Sequence, residues 1–278
     1  MSTPASAPEF VKGHGTENDF VLLPDPDDVL DLTAGRVRAL CDRRAGIGAD
    51  GVIRVVPIRD GGTERFFMDY YNADGSVAEM CGNGARLFAR FLVDGGWAEP
   101  GSIVFRTRGG TRVARLGAVG DVSIDMGPAV LGARSRALVG EREHSGVAVD
   151  VGNPHLVCAD VPDVAALAAL DLARPPSYDP ELFPDGVNIE FVTALGPEEV
   201  AMRVHERGVG ETRSCGTGTV AVAAAHLAGS GRSTGRVAVR VPGGRVTVDV
   251  APGVSMLTGA AVLVARGRID AEFWAAHR

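Results

Sequence analysis

The sequence predicts a duplicated α+β protein, and three observations carry that reading. A Cys-Gly-x-Gly tetrad leading into an apolar, helix-favouring run occurs twice, in residues 80–94 and 214–228. Both runs close on glycine, Gly95 and Gly229, a common helix stop. The flanks repeat as well. Asn18 lies 63 residues before Cys81 and Asn153 lies 62 before Cys215, while Asn72 and Glu206 each lie nine before their cysteine. Each half reads as strands, loop, strands, Cys-Gly-x-Gly helix, strands, which is the pattern of a repeated α+β unit.

Element by element, residues 10–23 read as strand, glycine-bearing loop and strand, with Asn18 and Asp19 at the loop exit. Residues 33–41 suggest a short helix. A loop with three glycines (41–51) feeds a strand at 52–56, and 65–72 alternates into another before the turn at 73–76. After the first Cys-Gly helix, 102–108, 112–116 and 122–125 form a strand meander. Gly127-Pro128 breaks the pattern, so the first domain is expected to span 1–126, joined by the tail 266–278, and the second 127–265. In the second half, strands are expected at 136–140, 146–151 and 156–159, with an Ala/Leu helix at 164–172. A Pro-rich loop follows at 174–180, then strands at 186–192 and 201–205. After the second Cys-Gly helix come a hairpin of 236–241 and 245–250 and a strand at 259–264.

Composition narrows the function. A length of 278 residues and 45% hydrophobic content allow one large domain or two ordinary ones. The net charge of −7 gives no basic footprint for nucleic acid or a lipid surface. No apolar run reaches membrane-spanning length, the N-terminus lacks a signal-peptide pattern, and four scattered cysteines suit a reducing cytoplasm. Lys12 is the single lysine among 28 Lys and Arg residues. It has no phosphate cradle around it, so a pyridoxal Schiff base is disfavoured. Neither Cys-x-x-Cys nor His-Glu-x-x-His is present, so no metal site is expected. The glycine loops match no nucleotide-binding pattern either.

The chemistry is read from the duplicated cysteines. A helix N-terminus carries unpartnered N–H groups and the positive end of the helix dipole, which favour a thiolate or a bound carboxylate. Two such ends facing one carbon could remove a proton on one face and return one on the other, inverting a stereocentre without a carrier. The α-proton of an amino acid is weakly acidic, so the dipoles and N–H groups would stabilise the developing carbanion. Asn18, Asn72, Asn153 and Asn188 fit ammonium or carboxylate ends. Arg207 suits a carboxylate, and His155 and Glu206 could tune the thiols. Cys41 and Cys158, lacking the glycine context, read as small buried hydrophobes.

Lys-Gly-His-Gly-Thr-Glu-Asn-Asp-Phe, Tyr-Asn-Ala-Asp-Gly-Ser-Val-Ala-Glu-Met-Cys-Gly-Asn-Gly-Ala-Arg, Gly-Asn-Pro-His, Gly-Val-Asn-Ile-Glu-Phe and His-Glu-Arg-Gly-Val-Gly-Glu-Thr-Arg-Ser-Cys-Gly-Thr-Gly occur in order between about residues 10 and 265. Together they resemble the diaminopimelate epimerase family. The resemblance implies two pseudo-symmetric domains, each a curled, mostly antiparallel sheet around a central helix, with the active site in the cleft between them. It implies cofactor-independent interconversion of LL- and meso-2,6-diaminopimelate in lysine and peptidoglycan precursor synthesis, in a cytoplasmic homodimer. Cys81 and Cys215 are implied as the acid/base pair. Asn18, Asn72, Gly82, Asn83, Asn153, Asn188, Glu206, Arg207, Gly216 and Thr217 are implied as substrate contacts, with His155 and Glu206 tuning the thiols. Two positions depart from the family pattern: Gly51 stands where many members have a substrate-contacting Gln, and Ala265 where some have a dimer-associated Tyr. A proline racemase-like enzyme, a phenazine-type isomerase and a thiol–disulfide protein are the rival readings.

Overall fold

The computed structural model describes residues 7–277. Its chain divides into two compact units. Unit 1 holds Asp19–Val122 with the preceding N-terminal segment to Gly15 and the C-terminal Ala260–Arg278; unit 2 holds Thr16–Asn18 and Ser123–Gly259. The expected break after residue 126 thus falls a few residues late. The returning segment begins at 260 rather than 266, because it brings a whole strand back to the first unit.

In unit 1, β1 (Glu9–Gly15) pairs antiparallel with the returning strand Val262–Arg268. β2 (Asn18–Pro24) lies parallel to β3 (Gly51–Pro57), β3 antiparallel to β4 (Phe66–Asn72), β4 parallel to β5 (Gly101–Thr107), and β5 antiparallel to β6 (Gly110–Leu116). Helix α1 (Ala34–Cys41) links β2 to β3; Thr33 caps it by accepting from the Arg36 N–H. Helix α2 (Gly82–Asp94) links β4 to β5 and is the centre of the unit: every residue from Gly82 to Leu92 is buried. A second apolar cluster, including Val21, Leu40, Cys41 and Val52, closes against Ile269 and Trp274 from the C-terminal segment.

After β7 (Val122–Asp125), unit 2 repeats the same order of pairings. β8 (Val130–Val139) and β9 (Arg142–Asp150) form an antiparallel pair, and β9 pairs with β10 (Pro154–Cys158). Then β10 lies parallel to β12 (Asn188–Gly196), β12 antiparallel to β13 (Glu199–Glu206), β13 parallel to β15 (Gly235–Val241), and β15 antiparallel to β16 (Gly244–Ala251). Helix α3 (Val164–Ala168) lies between β10 and β12, and α4 (Gly216–Gly229) between β13 and β15. The sequence of parallel and antiparallel partners, and the place of each helix within it, is therefore the same in both units. That repetition is the duplication in physical form.

Several expectations are corrected. β8 and β9 are longer than the strands expected at 136–140 and 146–151. β8 is exposed over most of its length, so no apolar alternation marked it. The helix expected at 164–172 ends at Ala168. The short strand β11 (Ser177–Tyr178) forms inside the Pro-rich stretch by pairing with β8, and β14 (Gly210–Thr212) inside the loop before Cys215. β17 (Val254–Gly259) pairs with β16 and was not anticipated. The strand expected at 259–264 in the second half is β18 (Val262–Arg268), which belongs to unit 1 and completes it with helix α5 (Ala271–Ala276), where only the tail 266–278 was expected to return.

Candidate active site

Both Cys-Gly-x-Gly tetrads do what the pattern predicts: each cysteine is the N-cap of its unit's central helix. Cys81 caps α2 and Cys215 caps α4, both in extended backbone conformation. The second glycine of each tetrad lets the helix lie close to the sheet. A Cβ on Gly84 would stand 3.0 Å from Ile53 Cδ1, and one on Gly218 2.7 Å from Glu190 Oε1.

In unit 1, Asn83 is buried in the first turn of α2 and its Oδ1 accepts from Arg86 Nη2 at 3.0 Å. Arg86 is wholly buried. Burial pulls its guanidinium down to about 10, while the nearby Cys81 and Asp121 favour its charge. A cation thus lies within electrostatic reach of Cys81. Asn72 ends β4, its Nδ2 donating to Ser76 Oγ at 3.0 Å. Gly51 opens β3 opposite Asn72; a Cβ there would meet Tyr71 O at 2.5 Å and Tyr70 Cε2 at 2.7 Å. The Tyr70 ring and the Tyr71 carbonyl thus fill the space a side chain at 51 would need. The ammonium of Lys12 is engaged by Asp19 and by the Gly48 carbonyl.

In unit 2, Gly218 N–H donates to Cys215 Sγ at 3.4 Å, and Thr217 Oγ1 lies 3.5 Å from the same sulfur. Thr217 Oγ1 accepts from Asn153 Nδ2 at 3.4 Å, and Asn153 Oδ1 lies 3.1 Å from His155 Nε2. Asn188, at the start of β12, donates to Pro154 O and accepts the Arg207 N–H at 3.0 Å. Arg207 is exposed, with Nη1 donating to Asp185 O. Glu206 ends β13 and accepts from Thr212 Oγ1. Asn18 opens β2 and is half-buried; the adjoining Thr16 hydroxyl lies 2.8 Å from Ser214 Oγ, next to Cys215. Unit 2 therefore links Thr217, Asn153 and His155 to Cys215 through a run of polar contacts, with Gly216 next to it in the chain and Glu206 within electrostatic reach of the sulfur, whereas Asn188 and Arg207 contact each other. In unit 1, Gly82 and Asn83 follow Cys81 into the first turn of α2, while Asn72 stands at the end of β4.

The electrostatics correct one expectation. A helix N-terminus alone should ease the ionisation of Cys215, yet its thiol is pushed well above the ordinary range. Burial is the main cause, followed by the carboxylates of Glu206 and Glu190; Thr217 and the Gly218 N–H oppose them without prevailing. Cys215 therefore rests as a thiol, a proton donor. Glu206 is itself raised, first by burial, which makes it a ready proton acceptor beside the sulfur. Cys41 and Cys158 lie in apolar clusters, with burial pushing Cys41 up to about 12 and Cys158 higher still. They are the inert thiols expected.

Two residues given no role from the sequence belong here. Arg86 stood in the motif, where a basic residue inside an otherwise apolar helix start was the only signal. Glu190 stood in an apolar strand, where a lone acid was the signal that something holds it.

The fold itself belongs to a class that includes epimerases and isomerases. A hydroxyproline epimerase from Agrobacterium vitis superposes with a TM-score of 0.67 at 17% identity, over 96% of this chain and 92% of that one. A phenazine biosynthesis protein of the PhzF family from Enterococcus faecalis gives 0.68 at 16%, over 96% and 100%. At such identities the likeness is one of fold. Sequence is more particular. The diaminopimelate epimerase family profile matches residues 10–132 and 147–264. The chain is 50% identical to diaminopimelate epimerase of Rhodococcus jostii (strain RHA1) over 96% of its length and 98% of the relative. It is 52% identical to that of Mycobacterium tuberculosis (strain ATCC 25177 / H37Ra) over 95% and 98%. The chain belongs to the diaminopimelate epimerase family.

Proposed function

We propose that this protein interconverts LL- and meso-2,6-diaminopimelate, in lysine and peptidoglycan precursor synthesis, by a two-base mechanism. The observation that carries the reading is the pair of cysteine N-caps on the two buried central helices, in a chain matched by this family over nearly its whole length. One sulfur, as thiolate, removes the α-proton; the other, as thiol, delivers a proton to the opposite face. Cys215, resting as a thiol with Glu206 against it, is the donor when the enzyme is poised for one isomer, and Glu206 takes its proton for the reverse direction. Arg86 favours the charged form of Cys81. The helix-terminal N–H groups of Gly82, Asn83, Gly216 and Thr217 stabilise the developing carboxylate-side charge. Asn18, Asn72, Asn153, Asn188 and Arg207 bind the two amino-acid ends.

The reading requires both helix starts to serve one substrate. It requires no cofactor: the carbanion is stabilised by the protein, and Lys12 is held in an ion pair rather than offered to a carbonyl. It also places the enzyme in the cytoplasm, where the thiols stay reduced, as a homodimer. The test is chiral analysis of LL-diaminopimelate incubated with dialysed protein plus a metal chelator and hydroxylamine. Formation of the meso isomer supports the reading, and persistence of pure LL substrate contradicts it.

A further inference from the structure

The duplication supplies an internal comparison for Glu190. Ile53 in β3 pairs with Tyr70 and Glu190 in β12 pairs with Val204, each partner two residues before the corresponding Asn72 or Glu206. Both side chains lie under the second glycine of a Cys-Gly-x-Gly tetrad, and both are fully buried, at 0% exposure. Isoleucine satisfies the packing at this position in unit 1. A carboxylate there is costly unless it is hydrogen-bonded, so the fold alone gives no reason for Glu190.

What Glu190 touches supplies the reason. Its Oε1 lies 2.7 Å from Nδ1 of His155, which is itself at 0% exposure, while its Oε2 meets no donor among the described residues. The far side of the imidazole is held too, with Nε2 3.1 Å from Asn153 Oδ1. Asn153 Nδ2 then donates to Thr217 Oγ1, which lies 3.5 Å from Cys215 Sγ. A continuous chain of polar contacts runs from Glu190 through His155, Asn153 and Thr217 to the sulfur. Both ring nitrogens face oxygen acceptors, the arrangement of a doubly protonated imidazole. Buried imidazolium needs a counter-charge, and a buried carboxylate behind a histidine both supplies it and fixes the ring. The other titratable groups near enough to feel Glu190 are Glu206, Cys215 and Cys158.

The geometry points to Glu190 as a positioning residue for the epimerisation: it holds His155 doubly protonated and so orients the chain of contacts that ends on Cys215. This rests on the epimerase reading above. The test uses the full-length protein and Glu190→Gln, which keeps the shape and a hydrogen bond but removes the charge. Nitrogen-15 NMR of the imidazoles, with His155 assigned through His155→Gln, should show both nitrogens protonated at neutral pH in the unmodified protein and one proton lost in Glu190→Gln. Loss of such a supporting partner should lower kcat about 10- to 100-fold with KM within about twofold, and move the alkaline limb of the pH–rate profile to lower pH. If Glu190→Gln leaves kcat within about threefold and the His155 spectrum unchanged, Glu190 only fills space under Gly218 and the inference fails, with the epimerase reading intact. Should the unmodified protein not epimerise, that reading fails, and the His155 spectra still decide the Glu190 pair. Should the variant not fold, a singly protonated His155 in the unmodified protein at neutral pH overturns the inference by itself.

Discussion

Cys215 is governed by a contest between its helix and its neighbours. The head of α4 offers it a Gly218 N–H, which favours the thiolate, but burial and the carboxylates of Glu206 and Glu190 favour the thiol and prevail. In the protein without substrate, alkylation of Cys215 by iodoacetamide should therefore be slow at neutral pH and accelerate only well into the alkaline range. Glu206→Gln should speed it wherever Glu206 would be ionised, because a negative neighbour is gone, while kcat falls. The same substitution has a stability consequence with a definite sign. Glu206 is raised above its ordinary 4.5 in the folded state, so its stabilising proton is present at low pH and is lost as pH rises through the raised value. At neutral pH the unfolded chain solvates this charge better than the folded one. Glu206→Gln should then melt higher than the parent at neutral pH, by about 2–4 °C per kcal/mol for a protein of this size, with the difference vanishing near pH 4. An equal or lower melting temperature at neutral pH would contradict the assignment of Glu206 as a buried, destabilised carboxylate.

At the scale of the element, the heads of α2 and α4 have the same backbone plan but different floors. Gly84 packs on the flexible ends of Ile53 and Met68, whereas Gly218 packs on a carboxylate anchored by His155. Gly84→Ala gains helix propensity of about 1 kcal/mol and can push two methyl groups aside, so its net effect should lie within about 1 kcal/mol of zero. Gly218→Ala should cost about 1–3 kcal/mol by overpacking and lower kcat as well; urea melts and kinetics of the two variants compare them directly. The loop between β2 and β3 makes a second case. Burial opposes the charge of Asp19, but Arg43 and Lys12 hold it down at about 2 against an ordinary 3.8. The stability this adds is complete above pH 3.8 and is lost as pH falls towards about 2. Lys12→Met, which leaves Asp19 with Arg43 as its cation and takes the ammonium donor from the Gly48 carbonyl, should lower stability by about 1–3 kcal/mol and flatten that acid transition. It should leave the enzyme as indifferent to hydroxylamine as before.

For the molecule as a whole, what was legible in the sequence was what local chemistry dictates. The Cys-Gly-x-Gly tetrads, the apolar runs behind them and the alternation of β4 each carry their own signal, and the cysteine N-caps follow. What was hidden depends on partners distant in the chain. β8 is exposed over most of its length and exists because β9 lies beside it. The boundaries of the units hinge on β18 pairing with β1 from the other end of the sequence. The role of Glu190 needed the His155 contact, and the rise of the Cys215 thiol needed its burial, neither of which spacing along a chain reveals. The central claim is that two different groups handle the two protons. It is tested most directly by starting from LL-diaminopimelate in deuterated water and measuring isotope at the inverted centre early in the reaction. The account predicts meso product carrying solvent deuterium at that centre while the remaining LL substrate is still protiated. Cys81→Ala and Cys215→Ala should each give no product. Early meso product that retains the original proton would mean one base serves both faces, and epimerisation surviving either substitution would contradict the account outright.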